Sequence, residues 1–535
     1  MTARARTDIL LLAGFCTFLF FYGIAQFGLI GADEPRYAQV AREMLERGDW
    51  VTPTLSGRAW LEKPPLYYWQ AMLAYRVLGI SDAAARIPSS IDATLMVIGV
   101  YLFFRKFRRG VEVDASLISA SCAGIIGYAR AASMDMALTA TFAMAMLAWW
   151  SWRERAKPIY LAGFYVSIAL GMLAKGPVAP LLAAAVIVFY SVAVGERNLI
   201  ARTLWAPGVL LFLAVGLPWY IAVEVRNPQF LREFILEHNL ARFATNLYHH
   251  PEPFWYYIPV ILLALVPWIV FVIAAFVEST RVWWRERSAG VDLELQFRIF
   301  LSSWLIVPVV FFSISQSKLP GYILPAVPAG AILLADYLRQ RGQRQSPMPK
   351  WMAIVHALVA CAPIVPAALI GSIVSGQRMF GSPLSWIALA VALLLSIGVA
   401  LTLIGRLHWL RFVTLIPVVL AVAAVLKLGT FSIDERLSTR PLANELASIE
   451  TQKLPIAVCG ASREVEYGLA FYRDRIVARY ESGNVPAKEH LLVAPPAWKP
   501  NVDQLTSGRR VTFLGHYAPQ NLDYYWVGSP ASLER

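Results

Sequence analysis

The feature that most constrains this chain is a succession of apolar runs, each about 17 to 25 residues long, that recurs up to about residue 430. Arg, Lys, Pro or Trp bounds each run. Runs of that length match the hydrocarbon thickness of a bilayer when wound as α-helices, which satisfy their own backbone hydrogen bonds in lipid. Windows at 9–27, 86–104, 114–130, 136–152, 158–173, 177–194, 204–222, 254–277, 298–315, 322–338, 351–373, 384–404 and 412–430 predict about thirteen spans. The first follows Arg4 and Arg6, lacks a small-x-small cleavage site and is long for a secretory signal, so it reads as a retained helix. Composition agrees: 58% of the 535 residues are hydrophobic and only 16% are charged.

A net charge of +13 raises the question of nucleic acid, yet the basic residues are scattered in short clusters between apolar runs. The clusters at Arg105, Lys106, Arg108 and Arg109, at Arg153, Arg155 and Lys157, at Arg281, Arg285 and Arg287, and at Arg339, Arg341 and Arg344 fall in alternate loops. That is the positive-inside pattern, and no nucleic-acid partner is expected. It puts the N-terminus in the cytoplasm and the loops 28–85, 223–253, 313–321 and 374–383 outside, together with everything after about Phe431. Cys16, Cys122 and Cys361 lie in apolar runs and Cys459 stands alone, so no disulfide framework is expected.

Two stretches are more than connectors. The outer loop 28–85 is longer than a simple linker. It carries a helix signal over Pro35–Arg47, with Tyr37, Val40, Met44 and Leu45 as an apolar stripe, and a second helix beginning near Pro64-Pro65. From about Phe431 the composition becomes that of a soluble α/β unit, with strand signals at 456–459, 476–480, 491–494, 511–514 and 524–527 and a helix over 463–472. The expected domains are therefore 1–430, a transmembrane bundle, and 431–535, an extracytoplasmic α/β domain.

The polar residues of the outer segments read in more than one way. Asp33 and Glu34, in Asp33-Glu34-Pro35-Arg36-Tyr37, suit an N-cap as well as a site at the membrane edge. Glu62 beside Lys63 makes a solvated ion pair, although a lysine at a helix start also favours a bound anion such as phosphate. Asp135, between two apolar runs, is either a functional acid or another cap, and Lys175 either meets an anion or snorkels to the interface. His238, His249 and His250 lack the spacing of a dedicated zinc site. Lys318 and Tyr322 suit an interfacial anchor. Taken together, Lys63, Lys175, Arg242 and Lys318 fall on the same expected side as Asp33, Glu62 and Asp135. Cations so placed can hold a lipid-linked phosphate, and carboxylates can serve a reacting group.

The segments DEPRYAQVAREMLERGDWVTP, LEKPPLYYW, ARIPSS, MDMAL, LAKGP, EHNLARF with HHPEPFWYYIPV, and SKLPGYILP run in order over about residues 28 to 335. In these motifs the chain resembles the lipid-linked-sugar glycosyltransferases of the GT-C class, most closely the bacterial aminoarabinose transferases of lipid A and their relatives of the protein O-mannosyltransferase superfamily. The resemblance implies an all-α polytopic bundle of GT-C type in the bacterial inner membrane, with its C-terminal α/β domain in the periplasm. It puts Asp33 in the role of catalytic carboxylate with Arg36 and Tyr37 beside it, and Asp135 in the polar wall of the site. Lys63 and Arg242 would grip the carrier phosphate, and Lys175, Lys318 and Tyr322 would line the cavity. Glu62 and His238 would match a divalent-metal site that turnover does not require.

The activity so implied moves a sugar from a polyprenyl phosphate to lipid A or a related glycolipid, with no nucleotide. Protein or polysaccharide is the alternative acceptor. A transporter or flippase for a lipid-linked anion is the rival of another class; it predicts repeated halves, and none is legible.

Overall fold

In the computed structural model, residues 3–234, 252–287, 290–343, 349–379, 381–404 and 409–530 are described. Helix α1 (Ala3–Cys16) passes into a π-helical turn, Thr17–Phe21. The outer loop follows, with α2 (Asp33–Arg47), a short hairpin of β1 (Thr54–Leu55) and β2 (Arg58–Ala59), and α3 (Leu66–Leu78). Then come α4 (Asp82–Phe107), α5 (Glu112–Ser121), α6 (Ala123–Ala129), α7 (Met134–Arg155), α8 (Pro158–Lys175) and α9 (Val178–Ala193). Later bundle helices include Ala206–Arg226, Leu293–Ile314, Pro320–Gln343, Lys350–Ala368, Pro383–Leu403 and Leu410–Leu437.

The chain is a multi-pass membrane protein. Among the described residues eight helices are long and apolar enough to cross a bilayer, and nine if Tyr257–Ala264 and Ile269–Glu286, bent by 113°, form one span. Helix lies in each of the expected windows, but several segments are interrupted or short. α5 and α6 part at Cys122, whose backbone is extended, and α9 has 16 residues. Hydropathy windows register apolar length and miss such breaks.

α2 and α3 pair through their apolar faces. Tyr37, Ala38, Val40, Ala41 and Met44 of α2 are buried in one cluster with Tyr67, Tyr68, Ala71 and Met72 of α3. Tyr37, Tyr67 and Tyr68 meet edge to face with centroids 6.0–6.4 Å apart. Gly48 ends α2 in the left-handed conformation, φ +63°, which glycine adopts without cost.

The C-terminal part folds as a five-stranded sheet in the order β4-β3-β5-β7-β6, from β3 (Ile456–Val458), β4 (Val477–Arg479), β5 (His490–Ala494), β6 (Val511–Tyr517) and β7 (Leu522–Val527). β3 is parallel to β4 and β5, and the β5–β7 and β7–β6 pairs are antiparallel. This unit docks on α2. Arg42 donates to the Phe471 carbonyl at 3.0 Å and pairs with Asp474 at 2.7 Å. The Tyr472 hydroxyl accepts from the Leu29 N–H at 2.6 Å and donates to Asp82 at 2.6 Å. Arg440 bridges Asp82 and Asp434 at 2.8 and 2.7 Å. The outer loop, the start of α4 and the sheet unit therefore lie at one end of the bundle.

Candidate active site

The site is built at that end from stretches far apart in sequence. Neither acid of the first motif caps α2: the N-cap is Ala32, which makes no side-chain bond. Asp33 points outward, its side chain 58% exposed, and its Oδ1 takes the Arg36 guanidinium at 2.5 Å. Glu34 turns inward and is a structural anchor that sequence reasoning missed. It accepts from the Ile30 and Ala132 N–H groups at 2.8 and 2.7 Å and is gripped by Arg86 through both oxygens, at 3.1 and 2.6 Å. Arg86, 1% exposed, also donates to the carbonyls of Ile24, Phe27 and Gly28. The bidentate fork thus fixes the entry to α2, and so Asp33, against α4 and the turn before α7.

Arg36 lies against three aromatic rings, with its guanidinium carbon 5.1 Å from the centroid of Tyr37, 5.3 Å from Trp60 and 5.9 Å from Tyr467. Burial alone pushes this guanidinium down, but Tyr37, Asp33 and Glu62 around it hold it above its ordinary value. Burial likewise pushes the Tyr37 and Tyr68 phenols up, so both remain O–H donors. The Tyr68 hydroxyl is buried without a hydrogen-bond partner among the described residues. Tyr467 comes from the C-terminal sheet unit, and nothing in its sequence surroundings marks it as a site residue.

The second half of the site lies between α7 and α8. The N-cap of α7 is Ser133, which accepts from the Asp135 N–H at 3.1 Å and donates to Asp135 Oδ2 at 2.8 Å. Asp135 is therefore spared capping duty, and its Oδ1 pairs with Lys175, the last residue of α8. Lys175 does not snorkel outward; its ammonium also lies 4.6 Å from the Tyr322 ring centroid. The charge of Lys63 acts on the Asp135 carboxylate as well. The charges of both Asp135 and Asp33 also reach Tyr128, at the end of α6. Gly321 closes the floor: a Cβ there would stand 2.8 Å from the Asp135 carboxylate and from the Tyr128 hydroxyl.

Asp33, Arg36, Tyr37, Glu62, Lys63, Asp135, Lys175 and Tyr322 thus gather at one end of the bundle. Lys318 departs from expectation. It is 6% exposed and donates to the Ser315 carbonyl at 2.5 Å, because the break between Leu293–Ile314 and Pro320 leaves carbonyls that need a donor. Arg242 and His238 lie outside the described residues. Glu62 faces the Arg36 side, and no group of three or more His, Cys, Asp or Glu side chains suited to a metal occurs among the described residues.

The fold places this polar chamber at one end of a multi-pass membrane bundle of GT-C type. Residues 62–221 match the family model described as dolichyl-phosphate-mannose-protein mannosyltransferase. The chain is similar to the undecaprenyl phosphate-alpha-4-amino-4-deoxy-L-arabinose arabinosyl transferase of Serratia proteamaculans, 31% identical over 350 residues, 64% of this chain and 61% of that protein. The transferase of the same name from Yersinia pestis (strain Pestoides F) is 31% identical over 316 residues, 57% of this chain and 54% of that protein. The chain thus matches little more than half the length of these relatives. Its fold is that of ArnT from Cupriavidus metallidurans, solved bound to undecaprenyl phosphate, with a TM-score of 0.78, 21% identity and 98% of each chain covered. The apo form of that protein aligns with a TM-score of 0.75 and 20% identity.

Proposed function

We propose that this protein transfers a sugar, of the aminoarabinose type, from undecaprenyl phosphate to lipid A or a related glycolipid at the outer face of a bacterial inner membrane. In this reading the N-terminus is cytoplasmic and residues 431–535 form a periplasmic domain. What supports it above all is the Lys175–Asp135 ion pair, on which the Lys63 charge also acts, at the same end of the bundle as the outward Asp33.

The carrier phosphate is held by Lys63, with Arg242 as its partner and Arg36 and Lys175 nearby. The acceptor oxygen attacks the anomeric carbon; the new C–O bond forms as the bond to the carrier phosphate breaks, and the electron pair leaves on the phosphate oxygen. Fixed cations stabilise the charge that grows there. Where the acceptor is a hydroxyl, Asp33 takes its proton. Where it is already an anionic phosphate, Asp33 orients it or stabilises the positive sugar ring. The lysines supply the electrostatics of departure, so neither nucleotide nor resident divalent metal is required. Asp135 keeps Lys175 placed.

The test is transfer of labelled aminoarabinose from undecaprenyl phosphate to lipid A by the purified full-length chain, read by product mass. Transfer that persists in chelator and is lost in Asp33→Asn is expected. Carrier binding without transfer to lipid A, protein or polysaccharide acceptors would overturn the reading.

A further inference from the structure

A second cavity lies within the bundle on the reverse of α6. It is an apolar slot of about 400 Å³, in the size range of small-ligand sites. Ala123, Ile126, Gly127 and Arg130 form one of its walls, the i, i+3, i+4, i+7 face that α6 and the residue after it present. Tyr128 points the other way, to Gly321 and Asp135. α6 is thus a partition between the slot and the catalytic chamber.

The slot exists because helices are interrupted around it. Pro267 lies at the 113° bend, Pro363 stands between Lys350–Cys361 and Ile364–Ala368, and Pro417 lies inside Leu410–Ala424. The breaks in the α5–α6 and 257–286 segments satisfy each other, for the Ala123 N–H donates to the Val266 carbonyl at 2.8 Å.

Its lining holds one cation. Arg130 Nη1 donates to the Leu19 and Tyr22 carbonyls at 3.0 Å each, while Nη2 is buried without an acceptor among the described residues. Among the described residues its partners are these carbonyls and no carboxylate pairs with it. An apolar slot running about 10 Å along α6 and ending at an uncompensated guanidinium is complementary to a hydrocarbon chain with an anionic head. We propose that the slot holds one acyl chain of an anionic phospholipid whose phosphate sits at Arg130. The site is separate from the sugar-carrier phosphate site, and the proposal does not rest on the transferase reading.

The experiment is native mass spectrometry of the delipidated full-length chain titrated with phosphatidylglycerol or with phosphatidylcholine of equal chain length. Phosphatidylglycerol is expected to bind at least about tenfold more tightly. Arg130→Gln should abolish that preference. Gly127→Trp should abolish binding by filling the slot, since a Cβ at Gly127 meets nothing within 4 Å. Should Arg130→Gln fail to fold, Arg130→Lys and Gly127→Trp decide. Equal binding of the two lipids, or phosphatidylglycerol binding unchanged in Gly127→Trp, overturns the proposal. An undecaprenyl phosphate arm separates the two lipids. Its binding should fall in Lys63→Gln and persist in Gly127→Trp; the reverse pattern would make the slot the carrier's and overturn the assignment.

Discussion

Lys175 and Asp135 form an ion pair that joins the last residue of α8 to the first turn of α7, with the Tyr322 ring against the ammonium. Removing one partner leaves the other charge poorly solvated. Asp135→Asn or Lys175→Met is expected to cost about 3 kcal/mol, and the double variant less than the sum. Thermal unfolding in detergent measures this; additive losses would mean that the pair is not coupled.

Asp33 is exposed and caps nothing, so its loss should spare the fold. Asp33→Asn is expected to change stability by less than about 0.5 kcal/mol while lowering kcat at least about 100-fold. The informative outcome is the contrast, read by unfolding and by turnover on the same preparation.

Gly321 allows the turn before Val327 to press on the Asp135 carboxylate. Gly321→Ala must push that carboxylate or the Tyr128 hydroxyl aside. A displacement of that kind is expected to reduce kcat about 10- to 100-fold with carrier affinity nearly kept. An unchanged rate would show that Asp135 is free to move without consequence.

Glu34 and Arg86 hold the start of α2 from inside the protein. Glu34→Gln leaves Arg86 without its counter-charge and is expected to destabilise by about 3 kcal/mol, as for other broken buried pairs. Proteolysis within residues 28–85 should accelerate in parallel, and an unaltered cleavage rate would contradict the anchor.

His490 gives a pH dependence. It is fully buried; its Nδ1–H donates to the Lys488 carbonyl at 2.8 Å, and its Nε2 accepts from Tyr480 at 2.5 Å. Burial pushes the imidazole below its ordinary value, with Arg509 adding to this against the Lys488 bond, and pushes the Tyr480 phenol up to about 12. The unfolded chain therefore binds the proton first. Stability is full above the ordinary imidazole range and falls as pH drops through about 6.5. The unfolding temperature of the full-length chain should decline between about pH 7.5 and 5. His490→Gln should flatten that decline.

Much of this arrangement was legible because it rests on local signals. The bundle helices declare themselves by apolar length, the two juxtamembrane helices by stripe and stop residues, and the strands of the sheet unit by short β-rich runs near 456, 477, 490, 511 and 522. Asp33, Lys63, Asp135 and Lys175 stood out as charges at membrane boundaries. Partnerships were not legible. Nothing local tells that Glu34 anchors while its neighbour Asp33 faces outward, since the pitch of α2 decides it. Nor can spacing show that Lys318 donates to the Ser315 carbonyl, that Gly321 is required by Asp135, or that Tyr467 reaches Arg36 from more than four hundred residues away.

Arg42 and Asp33 share one short helix, so whatever holds Arg42 also sets the aim of Asp33. A chain shortened before residue 431 would keep every charged group described in the chamber yet lose the brace under the far end of α2. Its defect should then be one of alignment, with normal carrier uptake and slow turnover.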